Sequence, residues 1–194
     1  MLFNINDIDE NPVESKLCHA MDISSFASHT LMATKSFATL ESSLPDLSHN
    51  CIFNLMSDGK WSMVHLLLKI LKQTGPADLY ATTWSTNEDA IKQLIEMREN
   101  GLLRTLHFLF DFRVRKYRPA AYFMAKENFV SRIASCHAKV TVITNDSWNV
   151  TIVGSPNYTR NDRIEAAVLF ENKPIADFHK DWIIKTITNA NADI

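Results

Sequence analysis

CHAKVTVITNDSWNVTIVGSPNYTRNDRIEAAVLF, Cys136 to Phe170, is the stretch on which the reading of this chain turns. Two β-branched runs, VTVIT and VTIV, flank the turn-like NDSWN, which is the pattern of a hairpin. A third apolar run, AAVLF, follows. Polar residues stand at the ends of these runs rather than within them. His137 and Lys139 lie at the mouth of the first. Gly154-Ser155-Pro156-Asn157 closes the second, and Glu165 precedes the third. Taken singly, each has an ordinary reading: a strand end in solvent, a plain turn, a solvated carboxylate. On a strand, however, residues two apart share a face, and an unpaired lysine is almost never buried. Gly154 lets the backbone adopt a conformation closed to other residues or approach a ligand closely.

Working outward, the preceding chain alternates strand-like and helical segments. CIFNLM reads as a buried strand, and WSMVHLLLKILKQT as a helix that stops at Gly75-Pro76. DLYATTW is strand-like, and Thr86 or Asn87 can cap the helix NEDAIKQLIEMREN, which Gly101 ends. LLRTLHFLF is another buried run, RVRKYR a basic loop, and PAAYFMAKENFVSRIAS a helix opened by Pro119. A last helix, PIADFHKDWIIKTITN, closes the chain. The fold class expected is α/β: a mixed, mainly parallel sheet flanked by helices on both faces. Residues 1–35 read as an acidic, partly mobile N-terminal arm, and 36–194 as the catalytic domain. KSFATL is a candidate first strand.

Composition narrows the class of protein. The 194 residues suit one domain, and the net charge of −2 gives no global reason to bind an anion. Three cysteines without CxxC spacing argue against a disulfide scaffold or zinc site and for a reducing compartment. No apolar run approaches a membrane span, and the acidic start is not a signal peptide. A cytoplasmic protein is expected, with no membrane partner. Between Arg104 and Arg132, by contrast, there is a local excess of five positive charges, which includes Arg113, Arg115, Lys116 and Arg118 around Tyr117. Those four are the candidate nucleic-acid contacts, with Tyr117 a possible stacking residue.

The order HxK, then GSxN, then Glu before a strand resembles the phospholipase D superfamily, whose signature is HxKx4D followed by GSxN. It is most similar to the family's small single-motif nucleases, over roughly Leu40 to Ile187. One position departs: the family's aspartate would fall at Thr144, with Asp146 two places on. The tripeptide His179-Lys180-Asp181 lies in the last helix and reads as a solvated helix face.

The resemblance implies a metal-independent, cofactor-free phosphodiesterase of fixed roles. His137 would attack phosphorus and form a phosphohistidine. Lys139 and Asn157 would bind the equatorial oxygens with support from Ser155, and Glu165 would orient an imidazole. Asp58 and Asp111 are isolated carboxylates, not a metal cluster. One chain supplies one such histidine, so the resemblance implies a homodimer with its site on the two-fold axis and DNA or RNA as substrate. Two rivals share the fold: an inactive nucleic-acid-binding module, and a phospholipid phosphodiesterase or transferase.

Overall fold

In the computed structural model, residues 28–34, 44–59, 61–160 and 162–189 are described. Eight strands form one sheet in the order β1-β2-β8-β7-β6-β3-β4-β5. The strands are β1 (Ser28–Thr34), β2 (Cys51–Asp58), β3 (Ala77–Thr83), β4 (Leu103–Asp111), β5 (Val130–Ala134), β6 (Val140–Thr144), β7 (Asn149–Gly154) and β8 (Ile164–Glu171). Helices α1 (Met63–Thr74), α2 (Glu88–Glu99), α3 (Phe112–Tyr117), α4 (Pro119–Asn128) and α5 (Lys173–Asn189) connect or close them.

Helices cover both faces, as the sequence pattern implied. One core gathers Leu66, Leu67 and Ile70 of α1, Ile91 and Leu94 of α2, and Tyr122 of α4 against Phe108 and Phe110. The other places Ile183 and Ile187 of α5 against Leu109, Val140 and Val142. The alternation of Phe108 and Leu109 between the two cores is the period-two signature of a strand buried on both sides.

The sheet is mixed, but the expected parallel majority is corrected. β1–β2, β3–β4 and β4–β5 are parallel. β2–β8, β3–β6, β6–β7 and β7–β8 are antiparallel. The hairpin β6–β7 and its return β8 insert between β2 and β3, so three late strands separate two βα units. The sequence showed the hairpin but not where it would dock.

Local signals explain most boundaries. Gly75 ends α1 at φ 75°, a conformation cheap only for glycine, and its N–H bonds Leu71 O at 2.9 Å. Asn87 caps α2 by accepting the Ala90 N–H at 2.9 Å. Two segments differ from expectation. RVRKYR is a short helix, not a loop, because Asp111 caps it through the Arg113 N–H at 3.0 Å. Pro119 then bars its continuation, since a residue before proline avoids helical geometry. The segment read as one helix from Pro119 breaks at Asn128, whose Nδ2 donates to Met124 O at 2.8 Å and competes with the ladder. Val130–Ala134 is the edge strand β5. Ser28–Thr34, within the stretch read as an arm, is strand β1, parallel to β2. Residues 1–27 of that arm and the strand candidate KSFATL lie outside the described residues.

Gly154 owes its identity to close packing rather than to an unusual φ. A Cβ there would stand 2.5 Å from Ala166 O and 2.6 Å from the Ala167 Cα. Both are backbone atoms of β8, so neither can swing aside. Gly154→Ala is expected to cost about 1–3 kcal/mol, the range of overpacking a filled interior. Urea denaturation checks it; an unchanged midpoint would mean that β7 and β8 separate freely at this end.

Candidate active site

His137, Lys139, Ser155, Asn157 and Glu165 are placed by loops and strand ends at one end of the sheet. There the chain leaves β3 and β7 and enters β6 and β8. His137-Ala138-Lys139 precedes β6 instead of lying on it, and its backbone is held by neighbours on both sides. Asp111, 3% exposed at the end of β4, accepts the Cys136 N–H at 3.2 Å through Oδ2. Its Oδ1 takes the Arg113 N–H, so both carboxylate oxygens are spent on backbone. The Thr82 hydroxyl, buried on β3, donates to Ala138 O at 2.9 Å and accepts the Val140 N–H at 3.1 Å. Residues 136, 138 and 140 are thus pinned while the His137 side chain remains exposed. Holding backbone this way pre-organises a reactive side chain without touching it.

The His137 ring lies 5.4 Å from that of Trp84, tilted by 59°. Lys139 Nζ donates to His137 O at 3.1 Å, which keeps the ammonium beside the imidazole's own backbone. The Lys139 carbonyl in turn accepts the Gly154 N–H at 3.2 Å and ties the HxK segment to the GSxN segment.

Asn157 is fixed from the β3 side. The Ser85 N–H donates to its Oδ1 at 3.2 Å, and the Thr83 hydroxyl lies equally close while also reaching Ser85 O at 2.8 Å. A backbone N–H can only donate, so the atom facing it is the amide oxygen. Nδ2 is therefore turned outward, free to donate. Tyr158, fully buried, anchors the next residue: its hydroxyl meets Thr141 Oγ1 at 2.8 Å, its carbonyl accepts from Thr86 at 3.1 Å, and its ring meets Phe108 edge-on. Burial pushes its phenol above the usual range, so it acts as a neutral post. Burial also pushes the Cys136 thiol up, which makes it an unreactive neighbour of His137.

Ser155 and Glu165 form a pair. The Ser155 hydroxyl donates to Glu165 Oε2 and accepts the Ala166 N–H at 3.0 Å. The serine proton is aimed at the carboxylate, across the end of β7 and β8.

Thr144, where the resembled family carries aspartate, closes β6 at its far end from Lys139. Five residues at ~3.3 Å each put it roughly 16 Å away along the strand. Asp78 of β3 pairs with it in register, and the Asp78 carboxylate takes Arg104 and Thr105 at 2.8 Å each. A carboxylate is present at that level, on the adjacent strand. His179, in the decoy tripeptide, is not solvated as expected: its Nδ1 accepts the Trp182 Nε1–H at 3.0 Å, and burial lowers its pKa.

The basic excess divides. Arg113 and Arg118 join Trp84, Ser85, Val114 and Tyr117 around a cleft of about 420 Å³, which His137 does not line but adjoins through the Trp84 ring. Arg115 and Lys116 share α3 but do not line that cleft; Lys116 Nζ sits 5.2 Å over Tyr117. Arg104, Lys126 and Arg132, with Arg98, line a separate groove of about 670 Å³ along the β5 edge.

With this geometry in view, comparison with solved structures places the fold. Nuc from Salmonella typhimurium, a phospholipase D family member, superposes with a TM-score of 0.54 at 20% identity, over 69% of this chain and 91% of that one. The fold is phospholipase D-like. Part of polyphosphate kinase from Porphyromonas gingivalis superposes as well, at TM-score 0.53 and 12% identity, over 73% of this chain and 26% of that one. NucT from Helicobacter pylori superposes at 0.47 and 10% identity, over 71% and 96%. No protein-family model matches the chain, and no curated protein matches it significantly. Solved structures of different name thus share this architecture in whole or in part, and activity must be read from the site.

Sequence reading missed Thr82, Thr83, Asp111 as a tether, and Trp84. A threonine in a strand signals only β-propensity. Asp111 reads as an isolated carboxylate, and nothing local links it to Cys136, 25 residues on.

Proposed function

We propose that this chain is a phosphodiesterase, a nuclease that cleaves DNA or RNA through a phosphohistidine on His137 without a metal. The observation that carries this is the exposed His137 ring on pinned backbone, with Lys139 tied to its carbonyl and the Asn157 Nδ2 turned outward. Neutral His137 attacks phosphorus; Lys139 and Asn157 take the charge that grows on the equatorial oxygens. Glu165 is assigned to orient an imidazole, and it takes the Ser155 proton, so Ser155 supports the site through that carboxylate. Likeness to Nuc supports the fold beneath this chemistry. Among the described residues no helix is long and apolar enough to cross a membrane, and a nucleic-acid substrate suits the basic cleft better than a lipid does.

The test is incubation of purified protein with single- and double-stranded DNA and RNA, with and without a chelator. Label from a phosphodiester should then appear on His137. Binding without cleavage or label would leave the inactive nucleic-acid-binding module.

The second proton-transfer group must be an acid, and burial lowers the pKa of His65, His107 and His179. Those three are poor proton donors near neutrality. A second copy's His137 on a two-fold axis supplies the acid, which makes the active unit a homodimer with a composite site. When His137→Ala chains are mixed with wild type and allowed to exchange, activity should fall with the square of the wild-type fraction. A linear fall, with exchange verified, would mean self-contained sites.

A further inference from the structure

The cleft beside His137 is aromatic as well as basic. The Trp84 ring meets the His137 ring at a tilt, and the Arg113 guanidinium carbon lies 5.1 Å from the indole centroid. The same guanidinium lies 5.3 Å from Phe112. Tyr117, which also lines the cleft, is 63% exposed, and Phe112 is 48% exposed. Trp84 Nε1 is buried without a hydrogen-bond partner, although an indole N–H removed from water ordinarily finds one. Val114, between these rings in sequence, is buried in the core and anchors the short helix that carries Phe112, Arg113 and Tyr117.

We propose that Trp84, Tyr117 and the Arg113 guanidinium form a stacking platform for an unpaired nucleobase next to the scissile phosphate, which makes single-stranded nucleic acid the substrate. This rests on the nuclease reading above, since the platform abuts the proposed nucleophile. Planar rings and a guanidinium plane hold bases by their π-faces, with little dependence on sequence. In a duplex those faces are occupied by neighbouring base pairs, so a base can enter a cleft of about 420 Å³ only from an unpaired strand. Arg118, also on the cleft wall, provides a phosphate contact on the same strand. Basic and aromatic residues together also suit an anionic lipid surface, but that mode uses a long amphipathic helix lying flat. Here the helix has six residues and the aromatic wall is concave.

The test uses the full chain in a His137→Asn background, so that bound strands stay intact, at one fixed salt concentration. Ribo- and deoxy-oligonucleotides are offered as single strands, as duplexes, and as single strands carrying abasic sites. The expected result is tight binding of base-bearing single strands, with quenching of tryptophan fluorescence that Trp84→Leu removes. Duplex and abasic strands should bind more weakly. Tyr117→Ala, exposed and distant from the fold's core, should weaken base-bearing strands about 5- to 150-fold, the worth of one stack, and leave abasic strands unchanged. Equal binding of abasic and base-bearing strands, or of duplex and single strand, would overturn the platform. So would binding to phosphatidylserine vesicles that Tyr117→Ala abolishes. If the His137 protein cleaves no phosphodiester yet these binding differences hold, the nuclease reading falls and the platform stands.

Discussion

His137→Ala is expected to abolish phosphodiester cleavage, by about 10⁴-fold or more, as removal of a nucleophile does in covalent catalysis. The fold should barely notice. The groups that hold this segment are Asp111 on Cys136 and Thr82 on Ala138 and Val140, and none of them bonds the imidazole. The ring is exposed, and an exposed substitution away from caps and buried networks usually stays within about 0.5 kcal/mol. Turnover and urea stability measured on the same preparation separate the two effects. Cleavage at the wild-type rate would remove His137 from the chemistry altogether. An inactive but destabilised variant would instead show that the Trp84 contact at 5.4 Å matters to the fold.

How much of this was legible in the sequence depends on the range of the interactions concerned. Helix α1 ends at Gly75 and α2 begins at Asn87 because caps are made by neighbours in the chain, and neighbours are what a sequence displays. The hairpin β6–β7 was legible for the same reason. Strand β5 was not: VSRIA carries no clean alternation and follows α4 without glycine or proline, so nothing local marks the switch. The parallel majority failed because strand order is set by docking of distant segments, here β6 and β8 between β3 and β2. The site divides along the same line. His137, Lys139, Ser155, Asn157 and Glu165 could be singled out as polar residues at strand ends. The layer that fixes them could not, because Thr82 meets Ala138 only through the β3–β6 register. Trp84 follows equally from the turn after β3, whose path depends on Asn157, seventy-two residues beyond Ser85.

Asn157→Asp separates holding from catalysis more sharply than truncation would. Alanine would remove the oxygen that accepts the Ser85 N–H and leave that donor without its partner. Aspartate has nearly the same shape and keeps an oxygen at that place, so the turn after β3 and the bond to the Thr83 hydroxyl survive. What changes is the outward atom: an N–H donor becomes an oxygen carrying negative charge. Toward a phosphoryl group, a favourable hydrogen bond is replaced by repulsion. Loss of one transition-state donor costs about 10²–10³ in turnover, and the added charge pushes the result to the upper end of that range or beyond. Stability near neutral pH should remain close to that of the wild type. The loss is full only while the new carboxylate is ionised, so the ratio of wild-type to variant turnover should narrow as pH falls toward the carboxylate range. Steady-state cleavage at several pH values and a denaturation curve at pH 7 check both halves. Wild-type turnover in Asn157→Asp would show that the outward amide faces no phosphoryl oxygen. The residue would then be left with the structural work its Oδ1 already performs for the turn after β3.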